Sequence, residues 1–156
     1  MFFIGVVTNQ KNEEYIKNKL SNVVPAENII FITEKNILNI KNIKFESLLI
    51  DSKINNTTEL RKIISNSKYI ILNSDIEMNL DAIKNLDLVV ITYGFNNKST
   101  FTVSSIEEND IIICLQRIIF NKKGNEIEPQ EYELKIDKDI DKYTAIAIEI
   151  IKILYS

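Results

Sequence analysis

The chain has no histidine, one cysteine and three glycines in 156 residues. Each shortage removes a class of chemistry. Without histidine there is no Ser-His-Asp or Cys-His nucleophile and no zinc site of mixed His/Cys ligands. One cysteine cannot close an intrachain disulfide, which favours the cytosol, and Cys114 sits inside the apolar run 111–115 as a small packed hydrophobe. Gly5, Gly94 and Gly124 fall in no G-x-x-x-x-G-K-[ST] phosphate loop. Apolar runs stop well short of the roughly 18 residues needed to span a bilayer. The N-terminal FFIGVV is too short for a secretory segment with a basic flank and reads as a strand. The formal net charge of −3 includes no long basic run, and Lys122-Lys123 reads as a solvated turn. A soluble cytoplasmic protein is expected, with neither nucleic acid nor membrane as partner.

The remaining composition is that of a globular chain, with 45% hydrophobic and 26% charged residues. Its length fits one domain over residues 1–156, since two would each be marginal. Strands are read at 2–8, 29–33, 45–51, 69–72 and from 88 onward. Between them, Asn12 caps a helix reaching about residue 22, Thr57 or Thr58 caps one through 65, and a short helix covers 80–86. Segment 36–42 is ambiguous. Strands alternating with helices predict an α/β, Rossmann-like, mainly parallel sheet.

The last third changes character. Strands at 100–105, 110–120 and 131–136, the last two joined by a turn at 121–125, predict a small antiparallel portion. A C-terminal helix over 140–154 is apolar on more than one stripe. Tyr143, Ala147, Ile151 and Leu154 form the sheet-facing stripe, and Ile146, Ile150 and Ile153 form a second, facing either the antiparallel strands or another subunit.

The most informative stretch is ITYGFNNKSTFTVSS, residues 91–105. The continuous apolar run 88–91 reads as a strand covered on both faces. Thr92-Tyr93-Gly94 ends it, because glycine tolerates unusual φ or a close backbone approach. Asn96-Asn97-Lys98-Ser99 supplies turn formers, and the residues from Thr100 then alternate as an outgoing strand.

This stretch resembles the central domain of the Mur ligases, the ATP-dependent enzymes that add amino acids to peptidoglycan precursors of the bacterial cell wall. Their T-[FY]-G turn corresponds to Thr92-Tyr93-Gly94, their asparagine-and-aspartate-bearing strand end to Asn73-Ser74-Asp75, and their alanine-rich helix to residues 143–147. The resemblance covers roughly residues 69–154 and implies a Rossmann-like fold. It is not expected to carry over the ligase reaction: Thr8-Asn9-Gln10-Lys11-Asn12 stands where phosphate would be held but has no glycine, and no separate C-terminal amino-acid-binding domain is expected within these residues.

Other chemistry has thin support. Asp75 with Glu77, or Glu107, Glu108 and Asp110, could approach a hard cation, but acids at loop ends usually face solvent. Arg117, inside an apolar strand, would need a carboxylate, backbone oxygens, solvent or an anion. In open α/β sheets ligands gather outside the carboxyl ends of the strands. That edge nominates Thr8, Asn9, Asn73, Asp75, Thr92 and Tyr93, with Asp51-Ser52 and Thr33-Glu34 alongside. No cofactor and no metal is expected. The leading expectation is a non-catalytic domain binding a small polar ligand or a protein partner. The alternatives are a homo-oligomer formed through the C-terminal helix, and an enzyme of altered chemistry using Asp75 and Tyr93 as acid or base.

Overall fold

The computed structural model describes residues 2–40 and 42–156. Ten strands and four α-helices follow one another: β1 (Ile4–Val7), α1 (Glu13–Leu20), β2 (Ile29–Phe31), β3 (Ser47–Ile50), α2 (Thr57–Ser65), β4 (Tyr69–Asn73), α3 (Glu77–Ile83), β5 (Val90–Gly94), β6 (Phe101–Ile106), β7 (Asp110–Leu115), β8 (Ile119–Phe120), β9 (Glu126–Ile127), β10 (Gln130–Lys135) and α4 (Lys142–Tyr155). Eight strands form one sheet in the order β10-β7-β6-β5-β4-β3-β1-β2. From β2 to β6 the pairing is parallel, and β7 and β10 extend the sheet antiparallel. This is the α/β, Rossmann-like sheet with a small antiparallel portion and a C-terminal helix that the sequence predicts.

The central strands are mainly apolar because both faces are covered. Ile4 and Val6 of β1, Leu49 of β3 and Ile71 of β4 point to one side, where Ile16 and Leu20 of α1 join the apolar side of α4. Val7, Leu48, Ile50, Ile70 and Leu72 point to the other, against Leu60, Ile63 and Ile64 of α2 and Ala82 of α3. Successive side chains alternate across the sheet, so each strand feeds both cores.

Several sequence boundaries move, each for a local reason. α1 stops at Leu20, and Asn12 precedes it without capping, because its buried side-chain amide turns toward Thr8 and Thr144. α2 is capped by Asn56, whose Oδ1 accepts from the Glu59 N–H, rather than by either threonine. α3 begins at Glu77, after the Asp75 N–H closes a turn onto Asn73 Oδ1, and ends at Ile83, just ahead of Asn85 with φ 64°. Of segment 36–42, Lys41 lies outside the described residues, and Ile37–Asn39 is one 3-10 turn. β5 starts at Val90, and Val89 is 71% exposed rather than covered. The reason is register: β6 meets β5 only at Tyr93 and Gly94, so the amino half of β5 extends past its neighbour.

The expected long strand over 110–120 divides. β7 ends at Leu115, residues 116–118 bend away, and β8 pairs with β9 around the turn at 121–125, which Asn121 Oδ1 holds by accepting from Lys123 and Asn125 N–H. Arg117 therefore lies on an exposed bend, not in an apolar strand, and donates to the Lys98 carbonyl at 2.7 Å. On α4, Ile146, Ile150 and Ile153 are buried within the chain alongside Ala147, Ile151 and Leu154. The second stripe is core, not an exposed face awaiting a subunit. Among the described residues, no helix is long and apolar enough to cross a membrane.

Candidate functional site

The strand order reverses direction between β1 and β3, and ligands in open α/β sheets sit at such a switch point. Here the carboxyl ends of those strands bring Thr8 and Asp51 together, with Thr8 Oγ1 donating to Asp51 Oδ2 at 3.1 Å. Asp51 is only 6% exposed, so its carboxylate requires partners. Thr144, from the first turn of α4, donates to Oδ2 at 2.7 Å, and the Tyr93 hydroxyl donates to Oδ1 at 2.5 Å. Burial raises Asp51 above its ordinary 3.8, while the hydroxyls of Tyr93, Thr144 and Thr8 pull it down and neighbouring Asp141 adds to the rise. Asn12 Nδ2 closes the network by donating to Thr8 and Thr144.

Tyr93 is fully buried, and its hydroxyl is pushed well above 10, first by burial and then by the negative charge of Asp51. It therefore works as a hydrogen-bond donor inside the fold. The next residue of the turn serves a different contact. Asp75 crosses over Gly94, accepting from the N–H of Phe95 at 2.8 Å and of Asn96 at 3.3 Å, and from the Tyr143 hydroxyl at 2.7 Å. Tyr143 is itself pushed up to about 12 by burial and by Asp75. Thr92 is drawn away from the edge: it and Thr100 exchange backbone-to-hydroxyl bonds, of 3.2 Å from Thr92 N and 2.9 Å from Thr100 N. Each residue of Thr-Tyr-Gly thus has a structural duty, tying β5 to β6, to β3 and to the end of β4 respectively.

Beside this network lies a pocket of about 240 Å³. Its walls are Asn9 after β1, Asp51 and Ser52 after β3, Asn73, Asp75 and Ile76 after β4, and Asp141 and Tyr143 at the start of α4. The sequence-nominated Asn9, Asn73 and Asp75 line it directly. Asn73 is committed internally, its Nδ2 donating to the Asp51 carbonyl and its Oδ1 accepting from Asp75 N–H. Thr8 and Tyr93 support the pocket from beneath through Asp51, and Thr92 is not part of it.

Three carboxylates, Asp51, Asp75 and Asp141, share these walls, and no lining residue is basic. Among the described residues, no three His, Cys, Asp or Glu side chains converge closely enough to hold a metal ion. Asp75 and Tyr93 do not form an acid–base pair either, since the Tyr93 hydroxyl is taken by Asp51 and Asp75 accepts from Tyr143. What the pocket offers is mainly acceptor oxygens, from carboxylates, amides and a hydroxyl, which suits a small ligand bearing N–H or O–H donors.

Sequence reasoning did not nominate Asp141, Tyr143, Thr144 or Asn12. Asp141 gave one usable signal, an acid directly before a helix, and it is the α4 N-cap, accepting from Tyr143 N–H at 2.8 Å. That this helix, starting at Lys142, begins at the switch point so far along the chain from β3, which ends at Ile50, has no local signature, so Thr144 and Tyr143 could be found only in three dimensions.

No protein-family model matches the chain, and no curated protein matches it. Among solved structures, the apo form of D-lactate dehydrogenase from Escherichia coli is similar at 22% identity and a TM-score of 0.40, over 58% of this chain and 30% of that one. The matched part is under a third of that enzyme's length, and a likeness of this degree assigns no function.

Proposed function

We propose that this is a non-catalytic, Mur-ligase-like domain that binds a small polar ligand in the cytoplasm, at the carboxyl edge of its parallel sheet. The observation that carries the reading is the acidic pocket at the β1/β3 switch point, lined by Asn9, Ser52 and Asn73 together with Asp51, Asp75 and Asp141. An occupant of that site carries hydrogen-bond donors or positive charge, because three acids and no base would repel a phosphate. The retained Thr-Tyr-Gly turn fits a domain in which the sheet edge is kept, and the missing phosphate loop fits one that no longer transfers a phosphoryl group. The single cysteine and the lack of a basic run support a cytoplasmic setting without nucleic acid.

A thermal-stability screen across nucleotides, cell-wall precursors, amino acids, amines and amides tests the proposal. The expected hit is an amine- or amide-bearing compound whose saturable stabilisation falls in Asn9→Ala and Ser52→Ala. Stabilisation by anions alone, or a response that neither substitution alters, would refute it.

A further inference from the structure

At the opposite edge of the sheet, the register of β6 leaves a gap. β6 pairs with β5 only from Tyr93 onward, so the β6-facing side of Val90 and Ile91 opens instead on the bend and β8. The space between them is about 520 Å³, within the ~300–1,000 Å³ typical of ligand pockets. Val90 and Ile91 of β5 line it together with Ile118 to Phe120 of the bend and β8, and Tyr69 and Thr100 complete the lining. Apolar side chains stay exposed here without a covering element: Val89 is 71% exposed, Ile118 52% and Phe120 51%. Three large hydrophobics grouped on one cleft differ from singly scattered surface residues and mark a binding surface.

The charge at this cleft selects the occupant. Lys68 and Arg117 are its only charged lining residues, and no acid lines it. Arg117 uses Nη2 on the Lys98 carbonyl, which fixes the guanidinium while leaving further N–H groups for an anion. Lys68 makes a loose 3.7 Å contact with Glu46, lies 5.4 Å from the centroid of the Tyr69 ring, and stays exposed. We propose that this cleft binds a small apolar monocarboxylate, its hydrocarbon part between Val89–Ile91 and Ile118–Phe120 and its carboxylate at Arg117. The cleft lies at the amino edge of the sheet, away from the acidic pocket, so the two sites stand or fall separately.

Decanoate, used below its micelle-forming concentration, is the probe, with decanol and decylamine as controls in isothermal calorimetry. Decanoate should bind saturably, decanol more weakly and decylamine least. Arg117→Gln should weaken decanoate on the order of tenfold, the scale of one charge-assisted hydrogen bond, and leave decanol unchanged. Val89→Glu and Ile118→Glu place acids at exposed positions and should abolish decanoate binding with the denaturation midpoint kept. Failure of decanoate to bind at millimolar concentration, or equal binding of decanoate and decanol unaffected by Arg117→Gln, would defeat the proposal. So would a concentration-dependent dimer that dissociates in Val89→Glu, which would put a second copy of the chain over the cleft.

Discussion

A Cβ placed on Gly94 would lie 2.6 Å from Oδ1 of Asp75. The carboxylate cannot easily retreat, because it is held by the N–H groups of Phe95 and Asn96 and by the Tyr143 hydroxyl. Glycine in the turn is thus a requirement of close approach, and φ of 156° adds a conformation that side chains rarely adopt. Gly94→Ala should cost about 1–3 kcal/mol in urea denaturation. If the contact with Asp75 is the cause, Gly94→Ala combined with Asp75→Ala will cost less than the two single changes added, by about 0.5–3 kcal/mol. Strict additivity would show that the glycine is needed for its φ alone.

Much of this was legible from residue types. The alternation of apolar runs with capped helices gave the parallel sheet, since β-strands buried on both faces are largely apolar, and the asparagine- and aspartate-bearing strand ends gave much of the pocket wall. Partners distant in sequence were not legible. Tyr93 read as a residue presented at the edge, yet its hydroxyl finds Asp51 across two strand spacings, and nothing within its own segment announces that bond. The second stripe of α4 was likewise open to two readings, because amphipathicity reports how much of a helix is apolar and not what covers it. Arg117 was misplaced because an apolar run of that length hides a three-residue bend as easily as a strand.

The burial of Asp51 gives a pH dependence with a defined sign. Asp51 has a folded pKa raised above 3.8, so folding favours its protonated form; the stability it contributes is full below 3.8 and is lost as pH rises through the higher folded value. Asp51→Asn removes that titration while its Oδ1 still accepts from Tyr93. The stability of wild type relative to Asp51→Asn should therefore be greater at acid pH than at neutral pH, measured by urea denaturation in matched salt. A difference independent of pH, or one growing toward neutral pH, would show that hydrogen bonding to the carboxylate outweighs its burial. Tyr93→Phe is the companion test: it leaves a buried acceptor without its donor and should cost about 1–3 kcal/mol.

Ile150 has no exposed surface and Ile153 only 8%, so the second stripe of α4 belongs to the core as the stripe of Ala147, Ile151 and Leu154 does. Ile150→Ala should cost about 2–5 kcal/mol through the cavity it leaves. Sedimentation should give the same mass for wild type and for Ile150→Ala at concentrations where both are folded. A mass that falls in the variant while the unfolding midpoint holds would mean that this residue meets another chain.

The acidic carboxyl edge makes the last expectation specific to nucleotides. In a phosphate loop, successive backbone N–H groups and a lysine surround the β- and γ-phosphates, and glycines let the backbone come close enough to do so. After β1 this chain has instead Thr8, turned onto Asp51, and a single 3-10 turn over Gln10–Asn12, with Asp51, Asp75 and Asp141 facing the space a phosphate would fill. Lys11 is the one basic residue on that turn, and it is exposed. A ligand present at a hundred times its dissociation constant stabilises a fold by about 2.7 kcal/mol, so even micromolar affinity would be visible with millimolar nucleotide. ATP with magnesium should leave the thermal midpoint where magnesium alone leaves it. A saturable rise that disappears in Lys11→Ala would instead mean that the loop after β1 holds phosphate without glycine, and the acidic pocket would have to be read as a magnesium-dependent nucleotide site.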